Sequence, residues 1–435
     1  MAGDQQPIVL TIEQSAIRRV TRRLIPFMCL MYTLNIIDRV NVTNASLAIM
    51  KNLGYTAQQY GFGAGIFFVG YFIFEVPSNL ILEKVGARRW MARIMVTWGI
   101  IASCMMFITP NPMTYYALRF LLGVAEAGFF PGMILYLTYW FPSRERGRAG
   151  AKFIIATLFA NIIGGPLGAS LLKLDGSLGL QGWQWLFLLE GIPSFLVGFV
   201  ALKFLTDRPS DATWLPDDEK AWLIGQIAKE QSARKEHASI WAAFREKKVL
   251  HLCLLFFLWQ VTNNGLGFFI PKLLKARSDW TDTKILWMTA IPAIIGAISL
   301  MIAAHYSDKM RERKKFIVHG FIAYIVSMVA VIFVRGGNST IVAVSAKEAS
   351  TNWANAPFWT VATGFLSGTA AAGSIALINA TGNLGGFVGP SIMGALYDKT
   401  HSYHMGLVVM MFVMFGTLYS AIRLQHSNAE EHGEE

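Results

Sequence analysis

The stretch Leu24–Met50, LIPFMCLMYTLNIIDRVNVTNASLAIM, decides how the rest of the chain is read. It is long and apolar enough to cross a bilayer, yet it sets an acid beside a base, Asp38 and Arg39, among Asn35, Asn41 and Asn44. A charge at bilayer depth costs about 3 kcal/mol or more even on lenient insertion scales. Two such charges are tolerated when they face a partner or a wet cavity. One reading is a self-neutralising ion pair that holds helices together. The other is a site for an ion or a charged substrate inside a membrane bundle.

The remaining composition agrees with a membrane bundle. Of 435 residues 54% are hydrophobic and 15% charged, against roughly 25% charged in soluble domains. Twelve apolar runs are predicted, at 24–47, 57–82, 90–109, 114–140, 148–172, 183–205, 249–274, 283–305, 316–335, 339–365, 368–396 and 403–424. The fold class is therefore an all-α polytopic membrane protein with twelve transmembrane helices. No cleavable signal peptide is expected, because the first apolar run is too long and too polar at its centre. Cys29, Cys104 and Cys253 fall inside spans and read as small core residues. The net charge of +11 does not point to nucleic acid. Its bases cluster before span 1, between spans 2 and 3, 4 and 5, and 8 and 9, and before span 7. Twelve spans put all those loops on one side, so both termini are expected in the cytoplasm.

An internal repeat divides the chain into two pseudo-symmetric six-helix halves. Glu83 and Asp308, each in a short loop with several bases, are 225 residues apart, as are Arg22-Arg23 and Lys247-Lys248. Gly165-Pro166 and Gly389-Pro390 are 224 apart. Such repeats mark transporter folds. The expected units are an N-terminal segment 1–23, a first bundle 24–205, a linker 206–248, a second bundle 249–424 and a tail 425–435. Within the linker, Pro216 before Asp217, Asp218 and Glu219 announces a surface helix to about residue 236, read as lying at the membrane interface. The repeat carries Asp38 onto Asn263 and Arg39 onto Asn264. The first half thus holds charges where the second offers amides.

Span 4 adds Arg119 and Glu126, seven residues and about 10 Å apart on one helix face. An ionised carboxylate there needs a partner or a proton, while Arg119 and Arg39 are fixed positive charges whose planar forks match a carboxylate. Protons on Asp38 and Glu126 would release the arginines for an anionic substrate. The structural alternative is two salt bridges, Asp38 to Arg119 and Glu126 to Arg39. In span 2, Tyr71 either lines the pocket or packs, and Glu75 is expected to pair with a loop base. Span 5 carries Asn161 and small residues that permit close crossing. In span 7, Gln260, Asn263 and Asn264 precede Gly265 and Gly267, which suggests a helix that breaks near substrate. Asn379 and Asn383 share a face of span 11, and Trp359 offers a flat wall or a packing ring. In span 10, Lys347 either adds a cation for a second carboxylate or greets anions at the outer mouth, or the Lys347-Glu348 pair snorkels to headgroups. Glu83, Arg88, Arg89, Asp308, Arg311 and Arg313 read as latches between helix ends.

These motifs resemble the major facilitator superfamily over the whole chain, and within it the bacterial anion:cation symporters that carry organic acids such as phthalate, tartrate, hydroxyphenylacetate and sugar acids. The matches are IIDRVN at 36–41, EVPSNLILEKVGARRW at 75–90, LRFLLGVAEAGFFPG at 118–132, GWQWLFLLEG at 182–191 and NLGGFVGP at 383–390. The resemblance implies proton-coupled import by alternating access. It implies proton-linked carboxylates at Asp38 and Glu126, substrate contacts from Arg39, Tyr71, Trp359 and Asn379, and Arg119 as partner of the acids. Glu83 stands where the superfamily usually has Asp, and Lys347-Glu348 is outside the family pattern. The partners expected are a small organic carboxylate, protons and the lipid bilayer, in a bacterial inner membrane, with the protein a monomer. An exchanger or uniporter on the same site is the rival within transport, and a transporter-like receptor or sensor the rival outside it. No phosphate loop, nucleophile–base pair or metal-ligand cluster is legible, so an enzyme, a cofactor and a metal are not expected.

Overall fold

The computed structural model describes residues 11–233, 246–310, 312–364 and 369–424. The rest lie outside the described residues: most of the expected N-terminal segment's first half, the end of the linker, Arg311, 365–368 at the expected start of span 11, and the tail from 425. Among the described residues there is no strand.

The first half contains α1 (Ile12–Asn44), α2 (Ser46–Leu53), α3 (Ala57–Val85), α4 (Ala87–Cys104), α5 (Pro112–Glu126), α6 (Phe129–Trp140), α7 (Ser143–Leu171) and α8 (Gly182–Phe204). The linker helix is α9 (Asp217–Ala233). The second half contains α10 (Lys247–Gly267), α11 (Ile270–Ala276), α12 (Asp282–Met288), α13 (Ala290–Met310), α14 (Arg313–Phe333), α15 (Gly337–Gly364), α16 (Thr369–Thr400) and α17 (Tyr403–Ile422). Local chemistry sets several starts. Thr11 with Gln14 and Thr56 with Gln59 form reciprocal capping boxes, and Pro112 opens α5 at the position where a missing N–H is harmless.

Nine of the described helices or helix pairs are long and apolar enough to cross a membrane on composition alone. The spans outside that group are α1, α15 and α16. They carry Asn35, Asp38 and Arg39, then Lys347, Glu348 and Asn352, then Asn379 and Asn383. The helices least like lipid-facing segments each contribute to the polar centre.

The repeat is visible in the packing. In the first half α1 packs on α7, α3 on α5 and α4 on α8; in the second, α10 packs on α16, α13 on α15 and α14 on α17. The halves meet through α3 against α16 and α7 against α12 and α13, which the same pseudo-twofold relates. Close approach here depends on small residues, since bilayer lipid offers helices no hydrophobic drive to associate. A Cβ on Gly165 would stand 2.5 Å from the Leu286 carbonyl oxygen. At the bundle end away from the basic loops, Asp398 of α16 accepts hydrogen bonds from the backbone N–H groups of Ala57 (3.0 Å) and Gln58 (2.9 Å). That carboxylate caps the positive end of α3 and fastens the halves together.

α9 is held by carboxylates against the first half. Ser15 Oγ and Arg19 Nε donate to Glu219 at 2.6 and 3.0 Å, and Ser143 donates to Glu230 through N (2.7 Å) and Oγ (2.6 Å). Leu223 is fully buried there, and Trp222 and Ile227 pack on the same core.

Candidate functional site

The first-half charges gather around a break in span 4. α5 ends at Glu126, and Gly128 turns the chain at φ +81° before α6 resumes. A side chain at 128 would collide with Ser78 and be strained in that conformation. The break leaves Glu126 fully buried. Its Oε2 accepts from Asn35 Nδ2 at 2.8 Å and from Arg39 Nε at 3.0 Å. The Arg39 guanidinium lies 4.8 Å from the Tyr71 ring centre and 5.5 Å from that of Phe67. Its Nη2 is buried with no acceptor among the described residues, and Glu126 Oε1 likewise has no donor. One edge of each group is therefore committed to the pair and another is not.

Asp38 points elsewhere. It is fully buried and accepts from the Trp98 indole N–H, from Ser194 Oγ at 3.0 Å and from Asn41 Nδ2 at 3.3 Å. The Asp38–Arg119 salt bridge of the structural alternative does not form. Arg119, 1% exposed, donates Nη2 to the Ala64 carbonyl at 3.2 Å and lies 4.8 Å from the Phe67 ring centre. Its Nε and Nη1 have no acceptor among the described residues. Asp38 instead faces Trp98 of α4 and Ser194 of α8, while Arg119 turns to the Ala64 carbonyl of α3. The other bridge of that alternative, Glu126 to Arg39, does form.

Glu75 corrects a second expectation. It is 3% exposed and accepts from Asn379 Nδ2 at 3.2 Å across the two halves, rather than meeting a loop base. Asn383, half-buried, is one turn beyond Asn379. Tyr71 is buried against Arg39. Asn161 is exposed and bonds its own helix at Thr157.

In the second half Lys347 is fully buried, so it does not snorkel to headgroups. Its Nζ donates to Asn263 Oδ1 and to Glu348 Oε1, both at 2.7 Å. Neighbouring helix positions point about 100° apart, but the two long side chains bend together. Asn264 donates to the Gln260 carbonyl at 3.0 Å, and Gln260 is half-buried. Trp359 stands edge-on to Phe256 (5.2 Å) and Phe358 (5.4 Å). Span 7 does break after its glycines, between α10 and α11.

Glu190 escaped the sequence reading. It is 4% exposed, one turn before Ser194, and neither carboxyl oxygen has a hydrogen-bond partner among the described residues. Its signal was the one acid in LFLLEG, an otherwise apolar run. The loop residues divide. Arg88 meets Asp207 (Nε to Oδ2 3.7 Å), and Arg313 meets Asp308 at 3.6 Å. Glu83 and Arg89 are exposed, and Arg311 is outside the described residues.

Known proteins agree with this architecture. The family model described as Major Facilitator Superfamily matches residues 28–390. A relative from Agrobacterium vitis, provisionally named a tartrate transporter, is 43% identical over 400 residues, covering 91% of each chain. A relative from Acinetobacter baumannii named a quinolone resistance transporter is 38% identical over 421 residues, covering 95% of this chain and 96% of its own. The crystal structure of a D-xylose-proton symporter superposes with a TM-score of 0.77 over 95% of this chain and 99% of that one; at 13% identity it speaks to fold alone. The chain belongs to the major facilitator superfamily. It is a multi-pass membrane transporter of small organic substrates and not an enzyme.

Proposed function

We propose that the protein is a proton-coupled symporter that imports a small organic anion, an aromatic, hydroxy or sugar carboxylate, by alternating access. The observation that carries this is the Arg39–Glu126 pair. It joins two different helices at the polar centre, and Arg39 keeps a buried, unused N–H edge. A proton on Glu126 removes the charge that holds Arg39. The guanidinium then takes a substrate carboxylate as its counter-charge, and the bidentate fork suits that group. When the substrate leaves, Arg39 recaptures Glu126 and the proton is released. Asp38, held by three neutral donors, is the second proton-linked carboxyl in this reading.

Arg39, Tyr71, Arg119, Asn264, Trp359, Asn379 and Asn383 are the proposed substrate-facing set, with Gln260, Asn263 and Lys347 as accessories. The Glu75–Asn379 bond makes Asn379 a contact between halves as well, so its engagement with substrate would be coupled to their movement. The loop residues serve as latches, with Arg88 working through Asp207. The two bundles, 24–205 and 249–424, act as the rocking units. In this reading the chain is a monomer in a bacterial inner membrane, and the basic loops favour an orientation with both termini in the cytoplasm. The provisional name of the Agrobacterium relative supports a carboxylate cargo.

The test is uptake into proteoliposomes with an imposed inward proton gradient, over labelled mono- and dicarboxylates, tartrate and a quinolone. Accumulation of one acid that collapses with the gradient supports the proposal. Accumulation that persists without any gradient, driven by internal anion, assigns exchange instead. Movement of neutral or cationic solutes alone would contradict the role given to Arg39.

A further inference from the structure

A second polar site lies away from the transport centre, at the start of α1 in the first half. Two successive turns of α1 carry Arg18, Arg19, Arg22 and Arg23. Beside them opens a cavity of about 920 Å³ lined by all four arginines, with Trp214 and Phe27 among its apolar walls. Orientation of a membrane protein requires basic residues near a span, but it does not require them to share a cavity.

The arginines are not equivalent. Arg19 is committed to Glu219 at 3.0 Å. Arg23 lies between two rings, 4.7 Å from the Phe204 centre and 4.9 Å from that of Trp214, which fixes its guanidinium while its buried Nε has no acceptor. Arg18 and Arg22 are exposed and have no carboxylate partner among the described residues. Three cationic groups thus border a space that no acid lines among the described residues. Lower on the same helix the lining turns apolar, through Pro26 and Phe27 to Leu30, which is 46% exposed. From Arg18 to Leu30 is about 18 Å along the axis at 1.5 Å per residue. That length reaches from the headgroup region into the hydrocarbon.

We propose that this cavity binds an anionic phospholipid. Its phosphate sits among Arg18, Arg22 and Arg23, and the upper part of an acyl chain lies on Phe27 and Leu30. Basic pockets beside membrane helices recognise anionic headgroups in this way. Because Glu219 of α9 bonds both Ser15 and Arg19 on the cavity's rim, an occupied site would also brace the linker helix against α1. The site is separate from the cargo and stands or falls independently of it.

The test is native mass spectrometry and thermal melting of the full-length protein in neutral detergent, with phosphatidylglycerol, phosphatidylcholine or inorganic phosphate added. The expected result is retention of one phosphatidylglycerol with about tenfold preference over phosphatidylcholine and a matching rise in Tm. Arg18→Gln with Arg22→Gln should lose that preference. Lys84→Gln with Arg144→Gln, which removes equal charge at the same end of the bundle, should keep it. Leu30→Gln leaves every arginine in place and should weaken retention by itself, so the acyl contact remains testable if the double arginine variant fails to fold. Equal loss in both charge variants would reduce the site to diffuse attraction and overturn the proposal. So would unchanged retention by Leu30→Gln, or inorganic phosphate that binds alone and displaces the lipid at equal concentration.

Discussion

The two halves solve the same problem, a charge buried at the polar centre, in different ways. In the first half the cation and the acid come from different helices, Arg39 from α1 and Glu126 from the end of α5. In the second they are sequence neighbours on α15, Lys347 and Glu348, with Asn263 of α10 as third partner. A pair split between helices changes its geometry whenever those helices move. A pair on one helix travels with it and remains neutral. Backbone regularity follows the same division: span 4 is broken at Ala127-Gly128 beside its acid, whereas its repeat counterpart α15 runs unbroken. Under the proposed mechanism the first half exchanges its ion pair and the second keeps one.

Arg39→Ala should produce the largest effect on transport. Truncating one member of a buried charged contact costs about 2–5 kcal/mol, so kcat/KM for uptake should fall by about a thousandfold. Arg39→Lys should recover only part, because an ammonium lacks the fork. If Arg39→Ala transports normally, the contrast between the halves has no functional meaning.

Lys347→Met should act chiefly on stability. It leaves Glu348 without its cation, an expected loss of about 3 kcal/mol, and adding Glu348→Gln should restore most of it in thermal melting. Non-recovery in the double variant would show that Lys347 does more than neutralise its neighbour. Gly128→Ala should destabilise by about 2 kcal/mol, since a side chain at a left-handed position is strained and Ser78 leaves it no room. The same exchange of small for larger at Ala349 or Ala354 of α15 would test packing rather than a break. Glu75→Gln should have the smallest effect, a change of about threefold or less in uptake rate, because a neutral side chain can still accept from Asn379.

The fold was legible because its signals are additive. Twenty-residue apolar runs, basic loops and matching offsets each survive errors of a few residues. The charges at the centre were legible for the same reason that makes them costly: Asp38, Arg39, Arg119 and Glu126 stand out against an apolar background. Their partners were less so. Trp98 and Ser194 look like ordinary packing residues in α4 and α8, yet they supply two of the three donors to Asp38. Charge matching alone favoured Arg119 for that role, but it ignores which face of α1 each residue occupies. Glu75 was assigned to a loop base because position along a span is visible in sequence and the crossing of α3 with α16 is not. The break after Gly267 was legible from its glycines.

Concentrative uptake measured beside counterflow in Glu126→Gln proteoliposomes puts the exchange of the Arg39–Glu126 pair to its most direct trial. A glutamine there is permanently neutral, like a protonated acid that cannot release its proton. If the pair couples proton to substrate, the variant will exchange labelled substrate across the membrane at a rate near wild type, yet will not concentrate it under an imposed proton gradient. If Glu126→Gln still accumulates substrate against its gradient as the wild type does, the coupling proton is carried elsewhere and the pair belongs to structure.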